Sequence, residues 1–346
     1  MEFRTKVEIP VNKFSIKPSD HIMLLGSCFA EHIGKRLQTH KFQCNVNPFG
    51  VLYNPESIRL CLETLLNHLE QQTGFPPHYL FQEGGYWNSW LHTSKFAATS
   101  RENCLEHIEQ QLHQAADFLM HTDYLFLTFG TNRRYEHKEY GFTVGNCHKQ
   151  PAAIFQTVDD SPEAIAASYL PLLERLHRLI PHLRIVFTVS PYRYAKYGFH
   201  GNQLSKASLL LAVDKLVNNE MPSPLKKTGC SFQRTGHLVY FPAYELLLDE
   251  LRDYRFYATD MLHPSEQAID YIWERFGDAY FSPETLHFLK EWHAIENALN
   301  HRPFHPEAPE YRNFIHKIVL KIEQLREIYP NLAVENELNE LKKRID

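Results

Sequence analysis

The chain has 346 residues, 43% of them apolar and 13% aromatic, which is enough for one large domain with a sizeable core and a smaller appendage. Its net charge of -5, from 36 basic and 41 acidic residues, excludes a broad electrostatic surface for nucleic acid or an anionic membrane. The N-terminus has no apolar signal segment, and no apolar run is long enough to span a membrane. We therefore expect a cytoplasmic protein that binds neither nucleic acid nor a membrane. Six scattered cysteines without a C-x-x-C pair favour neither a zinc knuckle nor a disulfide framework.

The first predicted strand ends in a turn that carries two nucleophiles. Residues 22–25 form a short apolar run typical of a buried parallel strand, and Gly26 permits a tight turn after it. Apolar residues then recur every four positions over 29–37, as on one face of a helix. Ser27 and Cys28 therefore lie where a strand meets a helix N-terminus. Free backbone N–H groups there favour negative charge, which can lower a thiol pKa or hold an oxyanion.

Strands and helices alternate along the rest of the first 280 residues. Further strands are predicted at 42–46, 124–129, 184–189 and 238–241, and helices at 55–69, 101–120, 162–180, 205–219, 243–251 and from Pro264 to about 276. Residues 73–96 and 134–146 predict irregular insertions or hairpins. This alternation indicates a doubly wound parallel sheet, whose catalytic loops lie at the carboxyl ends of its strands.

The pattern changes beyond about residue 280, where we predict a separate helical extension. Residues 283–299 read as a helix, and apolar residues at helical spacing recur from Tyr311 to Ile328. We therefore divide the chain into a catalytic domain, 1–280, and a C-terminal helical extension, 281–346. This extension either packs on the main domain or provides a face for homo-oligomers.

One set of residues supplies each role that acyl transfer requires, namely a nucleophile, a base, a group that orients the base, and oxyanion donors. Asp260 and His263 lie three apart in a predicted turn, so the carboxylate can fix the imidazole tautomer. The other imidazole nitrogen would then face the nucleophile. The backbone N–H groups of the nucleophile and Gly50, with the side-chain amide of Asn132, are candidate oxyanion donors.

Five residues in predicted loops are candidates for binding the substrate: Trp90, His92, Arg133, His148 and His200. Each also has an ordinary structural explanation, since loop aromatics pack as often as they bind and surface arginines are usually solvated. The spacing of these histidines does not support a metal site, so we expect neither a metal nor a cofactor.

Four motifs resemble those of the GSCFA family: Gly26-Ser-Cys-Phe-Ala30, Asn47-Pro-Phe-Gly50, Asn146-Cys-His148 and Asp260-x-x-His263. The resemblance covers most of residues 1–276. This family is similar to the SGNH (GDSL) hydrolase superfamily. The resemblance therefore implies a flavodoxin-like three-layer αβα fold, α/β in class, and an esterase or acyltransferase that acts on a small-molecule or carbohydrate ester. It also implies a serine nucleophile, an oxyanion glycine and asparagine, and an Asp-x-x-His pair. Gly50 matches the oxyanion glycine, Gly130-x-Asn132 matches the oxyanion asparagine, and Asp260-x-x-His263 matches the Asp-x-x-His pair.

The nucleophile departs from the superfamily pattern. Gly-Asp-Ser laid without gaps on Gly26-Ser27-Cys28 puts Cys28 at the nucleophile position, whereas matching by residue type selects Ser27. Ser27 also suits a helix N-cap, and Cys28 a small buried apolar position. We favour Cys28. Because the motif's aspartate is missing, a second hypothesis is a non-catalytic carbohydrate- or ligand-binding protein that retains the hydrolase fold.

Overall fold

The computed structural model describes residues 4–10, 14–218, 237–305 and 307–344. Its strands are β1 (His21–Gly26), β2 (Gln43–Val46), β3 (Leu80–Glu83), β4 (Tyr86–Ser89), β5 (Tyr124–Phe129), β6 (Arg133–His137), β7 (Thr143–Val144), β8 (Phe155–Asp159), β9 (Arg184–Val189) and β10 (Leu238–Phe241). Five of them form a parallel sheet in the order β10-β9-β5-β1-β2. Counted along the chain this is the order 2-1-3-4-5 of flavodoxin-like sheets, whose switch point lies between the first and third strands.

Helices cover both faces of this sheet. They are α1 (Cys28–Thr39), α2 (Pro55–Gln71), α3 (Arg101–Met120), α4 (Pro162–Leu179), α5 (Gly198–Asn218), α6 (Ala243–Glu245) with a π-helical continuation (Leu246–Leu251), α7 (Glu266–Tyr280), α8 (Pro283–Asn300), α9 (Pro309–Ile328) and α10 (Glu335–Lys343). Alternate residues of β1 point to opposite faces: Met23 and Leu25 join the core under α2 to α5, whereas Ile22 and Leu24 join the core under α1 and α7. The predicted three-layer αβα fold is therefore confirmed.

Two short antiparallel sheets lie outside the central one. Strands β3 and β4 form a hairpin between α2 and α3, and β7, β6 and β8 form a three-stranded sheet between β5 and α4. Trp90, Val144 and Phe155 form a small core between them. Both hairpins were predicted, but β8 was not, because its residues are mostly exposed and carry no apolar run.

Two predicted helix starts are wrong for local reasons. The fifth helix begins at Gly198 rather than near Ser205, so Ser205 is not a cap but lies inside α5 with its hydroxyl bonded to Thr131 and Asn132. Pro264 is not the first residue of α7. Ser265 is the N-cap, with its Oγ 3.2 Å from the N–H of Ala268, because a serine hydroxyl can accept that hydrogen bond and a proline ring cannot.

Helices α8 to α10 share a core of their own. Several contacts join them to the region around α1; for example, the Trp292 indole donates to the Thr39 carbonyl at 3.0 Å, and Lys41 pairs with Glu337. The division at residue 280 and the oligomerisation face stay predictions. None of the helices in the described ranges combines the length and apolar character that crossing a membrane requires.

Helix α1 approaches β2 closely through Gly34. A Cβ at this position would lie 2.6 and 2.8 Å from the two Val46 methyl groups. We therefore expect Gly34→Ala to lower the free energy of unfolding by about 1–3 kcal/mol through overpacking, despite alanine's better helix propensity. Urea unfolding measures this. Gly201→Ala in α5 is the matched control, since its Cβ would meet its nearest neighbour at an ordinary 3.4 Å. Equal stability of the two variants would contradict the close contact.

Candidate functional site

The ends of β1 and β5 are tied together at the sheet's switch point. The Gly26 N–H donates to Asn47 Oδ1 at 2.8 Å, and the Gly26 carbonyl accepts from Leu52 at 3.0 Å. The Tyr53 carbonyl in turn accepts from Gly130 at 2.8 Å. The segment between β2 and α2 therefore bridges the two strand ends. Ligands bind at this crevice in open α/β sheets.

Ser27 and Cys28 are adjacent in sequence but differ in access. Ser27 is the N-cap of α1, with 1% of its surface exposed, and its Oγ lies 3.3 Å from the Phe29 N–H that it accepts. Cys28 is the first residue of α1 and is half-buried, with its Sγ 3.8 Å from the Tyr53 hydroxyl. The serine is thus occupied as the helix cap, and the thiol is the more accessible of the two candidate nucleophiles.

Opposing effects act on the pKa of the Cys28 thiol. Burial raises this pKa, and the nearby Glu31 carboxylate adds to the rise. Hydrogen bonds from Tyr53 and from the thiol's own backbone N–H lower it. Burial is the largest of these effects, so forming the thiolate requires a base.

Asp260 and His263 form the pair that their spacing predicts. Asp260 Oδ2 lies 2.5 Å from His263 Nδ1, and Oδ1 accepts the N–H groups of Leu262 and His263 at 2.9 and 3.0 Å. These bonds, first that of the imidazole, lower the pKa of Asp260 to about 2. The carboxylate therefore holds the Nδ1–H tautomer, and Nε2 is left free to take a proton. Both side chains are about two-fifths exposed.

Tyr192, just after β9, connects the two halves of the site. Its ring centroid lies 4.3 Å from that of His263. Burial raises the pKa of Tyr192, and the charges of Asp260 and Cys28 add to the rise. Cys28 and His263 thus lie at the same edge of the sheet, but in the described part of the chain no hydrogen bond joins them.

Two of the three candidate oxyanion donors, the Gly50 N–H and the Asn132 side-chain amide, take part in structural hydrogen bonds. The Gly50 N–H donates to the Asn47 carbonyl at 2.7 Å, in a turn where a Cβ on Gly50 would collide with Thr93. Asn132 donates through Nδ2 to the Asp160 carbonyl at 2.9 Å. Within the described ranges the second amide hydrogen of Asn132 has no acceptor, and the backbone N–H of Cys28, at the start of α1, interacts with its own thiol; these two stay candidate donors.

Three of the predicted substrate-binding residues pack in or beside the β3–β4 hairpin. Trp90 is buried and stacks on Phe81, with 3.7 Å between ring centroids. His92 is buried against Phe49, and burial lowers its pKa to about 3, so it is neutral. His148 Nε2 lies 2.8 Å from the Ser89 carbonyl. Among the described residues these side chains contact neither Cys28 nor His263.

Arg133 and His200 also lie apart from Cys28 and His263. Arg133 makes two bonds to Asp159, at 2.5 and 2.6 Å, and its guanidinium lies 4.2 Å from the centroid of the Tyr197 ring. His200 is exposed on the first turn of α5 rather than in a loop. Nowhere in the described ranges do three or more His, Cys, Asp or Glu side chains gather as a metal site would require.

Four residues of the site region escaped the sequence prediction. Tyr53, Tyr192 and Tyr194 form a cluster of rings, and the Tyr53 hydroxyl contacts the thiol. The Tyr53 and Tyr194 rings meet edge to face with centroids 6.0 Å apart, and Tyr192 contacts Tyr194 with centroids 4.7 Å apart. Behind them the buried Lys206 donates to the carbonyls of Gly130 and Ser190. The single lysine among the mostly apolar residues 204–213 could have predicted a buried cation. No sequence pattern indicated that the three tyrosines belong to the site.

Two protein-family models together match most of the chain. The model of the GSCFA family matches residues 21–276, and that of the GSCFA domain protein, C-terminal domain, matches residues 292–346. No curated protein matches the chain. The first match includes β1, the Cys28 turn and the Asp260–His263 pair. The chain belongs to the GSCFA family.

Proposed function

We propose that the chain is an SGNH-like ester hydrolase or acyltransferase in which Cys28 is the nucleophile and His263, oriented by Asp260, is the general base. The observation that carries the proposal is the 2.5 Å contact between Asp260 and His263 at the sheet edge where the half-buried Cys28 begins α1. The 2-1-3-4-5 strand order, with the nucleophile at the switch point, supports the superfamily assignment.

The chemistry proceeds in two displacements. His263 Nε2 takes the thiol proton, and the thiolate attacks the acyl carbon, which forms a C–S bond and moves the carbonyl π electrons to oxygen. When this intermediate collapses, the bond to the leaving alcohol breaks, and the alcohol takes the proton from His263. Water or an acceptor alcohol then loses a proton to His263 and attacks the thioester. The thiolate leaves and is reprotonated.

Transfer of the thiol proton requires Cys28 Sγ and His263 Nε2 to approach each other to hydrogen-bond distance. His263 lies on an exposed loop, and hydrogen bonds between catalytic groups often tighten only once substrate is bound. The Cys28 N–H and the second Asn132 amide hydrogen are the candidate oxyanion donors. The proposed substrate is a small or carbohydrate-linked acyl ester, held against the phenol rings beside Cys28, because such rings offer both an apolar face and a polar hydroxyl.

Labelling with p-nitrophenyl acetate and with iodoacetamide tests the nucleophile. We expect mass spectrometry to find the acetyl group and the fastest carbamidomethylation on Cys28. The label should persist in Ser27→Ala and disappear in Cys28→Ala. Cys147 is the internal control, since it is also half-buried but lies outside the site, and burial raises the pKa of its thiol to about 11. Equal labelling of both cysteines, unchanged in His263→Ala, would contradict the proposal.

One set of observations favours the second candidate, a non-catalytic carbohydrate- or ligand-binding protein. Burial raises the pKa of the Cys28 thiol, no described hydrogen bond joins it to His263, and the Gly50 donor is already engaged. Such a protein would bind an ester or sugar without turnover. Calorimetric binding of a carbohydrate ester that is recovered intact, together with no acetyl transfer to Cys28, would favour this candidate over the enzyme.

A further inference from the structure

The backbone around Tyr53 is fixed from both sides. Leu52, just before it, donates to the Gly26 carbonyl at 3.0 Å, and the Tyr53 carbonyl accepts from Gly130 and Thr131 at 2.8 and 3.0 Å. Asn54, just after it, caps α2 through a 2.8 Å bond from Ser57. Tyr53 is therefore built into the connection between the ends of β1 and β5. Groups held by such rigid connections can be placed as precisely as catalysis needs.

The side chain of Tyr53 points at the nucleophile. Its hydroxyl lies 3.8 Å from Cys28 Sγ, a distance that suits a hydrogen bond to sulfur. Among the residues that the structure describes, Tyr53 is the only other residue that forms a hydrogen bond with this thiol. The Tyr194 ring meets the Tyr53 ring edge to face and restricts its movement. About 38% of Tyr53 is exposed, so the phenol faces the crevice rather than the core.

We propose that Tyr53 is a further catalytic residue of this site, whose hydroxyl donates a hydrogen bond to the Cys28 sulfur and stabilises the attacking thiolate. The inference rests on the proposed function, because it names a partner for the proposed nucleophile. No bond is made or broken at Tyr53. Its proton stays on the phenol oxygen while His263 receives the thiol proton.

The direction of the hydrogen bond follows from the chemistry of the two groups. Burial raises the pKa of Tyr53 above its ordinary value, and the nearby Cys28 and Glu31 charges add to the rise, so the phenol stays protonated at neutral pH. A thiolate has no proton to donate, and a protonated phenol next to it must therefore act as the donor. Such a bond favours the charged form of the thiol and lowers its pKa.

Tyr53→Phe separates this role from packing, because it keeps the ring and removes only the hydroxyl. We expect the midpoint of the pH profile for iodoacetamide alkylation of Cys28 to rise by about 0.5–1 pH unit. The alkylation rate at pH 7 should fall about threefold to tenfold, since each pKa unit is a tenfold change in thiolate. Tyr140→Phe is the matched control, because Tyr140 is exposed on the β6–β7 hairpin and packs on His137; its profile should stay at the wild-type midpoint.

Alkylation does not require ester turnover, so the two proposals can fail separately. An unchanged midpoint in a folded Tyr53→Phe variant would overturn the role of Tyr53, whatever the esterase assays show. A raised midpoint would support the hydrogen bond even if the wild type cleaved no ester, in which case the proposed function alone would fall. Thermal unfolding establishes that Tyr53→Phe is folded, and Tyr53→Leu, which also lacks the hydroxyl, should show the same rise in the midpoint.

Discussion

Replacing His263 by alanine should lower the rate of p-nitrophenyl acetate cleavage by at least about a hundredfold, the usual contribution of a general base. The loss follows from the geometry, because Asp260 holds Nδ1 at 2.5 Å and leaves Nε2 to take the thiol proton. Since burial raises the pKa of the Cys28 thiol, little thiolate forms without a base. Single-turnover acylation of Cys28 should fall by the same factor, because the proton leaves the thiol before the acyl group arrives.

The fold should tolerate the His263→Ala change. The loop is also held by the Arg193 N–H, which donates to the Leu262 carbonyl at 3.1 Å, and by the Ala258 N–H, which donates to the His263 carbonyl at 2.8 Å. His121→Ala is the matched control, since His121 is exposed at the end of α3, with its Nδ1 2.9 Å from the Asp117 carbonyl of the same helix. Wild-type rates in both variants would remove His263 from the mechanism.

The pH profile of ester cleavage should show no titration of Asp260 near neutral pH. Hydrogen bonds lower the pKa of Asp260 from 3.8 to about 2, so the contribution of its pairing is complete above pH 3.8 and is lost only as the pH falls through about 2. An inflection in activity between pH 5 and 8 would therefore not come from this carboxylate.

The central fold could be predicted because its strands are buried on both faces. Residues 124–129 and 184–189 read as continuous apolar runs, and β5 and β9 have these same limits in the structure. The start of α5 could not be found in this way. Residues 198–203 contain two glycines and polar side chains, which resemble a loop locally, but tertiary packing draws them into the helix.

The two halves of the site could be predicted, but their atomic roles could not. Topology brings Cys28 to the carboxyl edge of the sheet, because it follows β1. The His263 loop is held at that edge by the Arg193 N–H, in the segment after β9, which donates to the Leu262 carbonyl at 3.1 Å. Which of Ser27 and Cys28 is accessible depends on which side chain caps α1, and that is a matter of rotamer and burial rather than of residue type. The donors of Gly50 and Asn132 are engaged in bonds that depend on loop conformation, which has no periodic signature.

Lys206 joins the loops that follow β5 and β9 from beneath the site. Its ammonium is fully buried and donates to the Gly130 carbonyl at 2.6 Å and to the Ser190 carbonyl at 2.7 Å, near the Tyr194 ring. We expect Lys206→Met to lower the free energy of unfolding by roughly 2–5 kcal/mol, because two buried carbonyl oxygens lose their donor. Lys215→Met on the same helix is the matched control: its ion pair with Glu163 lies at the surface, so this variant should stay close to the wild type in stability.

The effect of Lys206 should depend on pH with a defined sign. Burial lowers the pKa of Lys206 from 10.5 to about 7 in the folded chain. Between pH 7 and 10.5 the unfolded chain therefore binds a proton that the folded chain does not, so the stability of the wild type relative to Lys206→Met rises with pH across this window. Below pH 7 the difference should be flat, since both states are protonated. Urea unfolding at pH 6, 7.5 and 9 measures it. A difference between wild type and Lys206→Met that stays flat from pH 6 to pH 9 would instead show that the two carbonyls hold the lysine as an ammonium throughout this range.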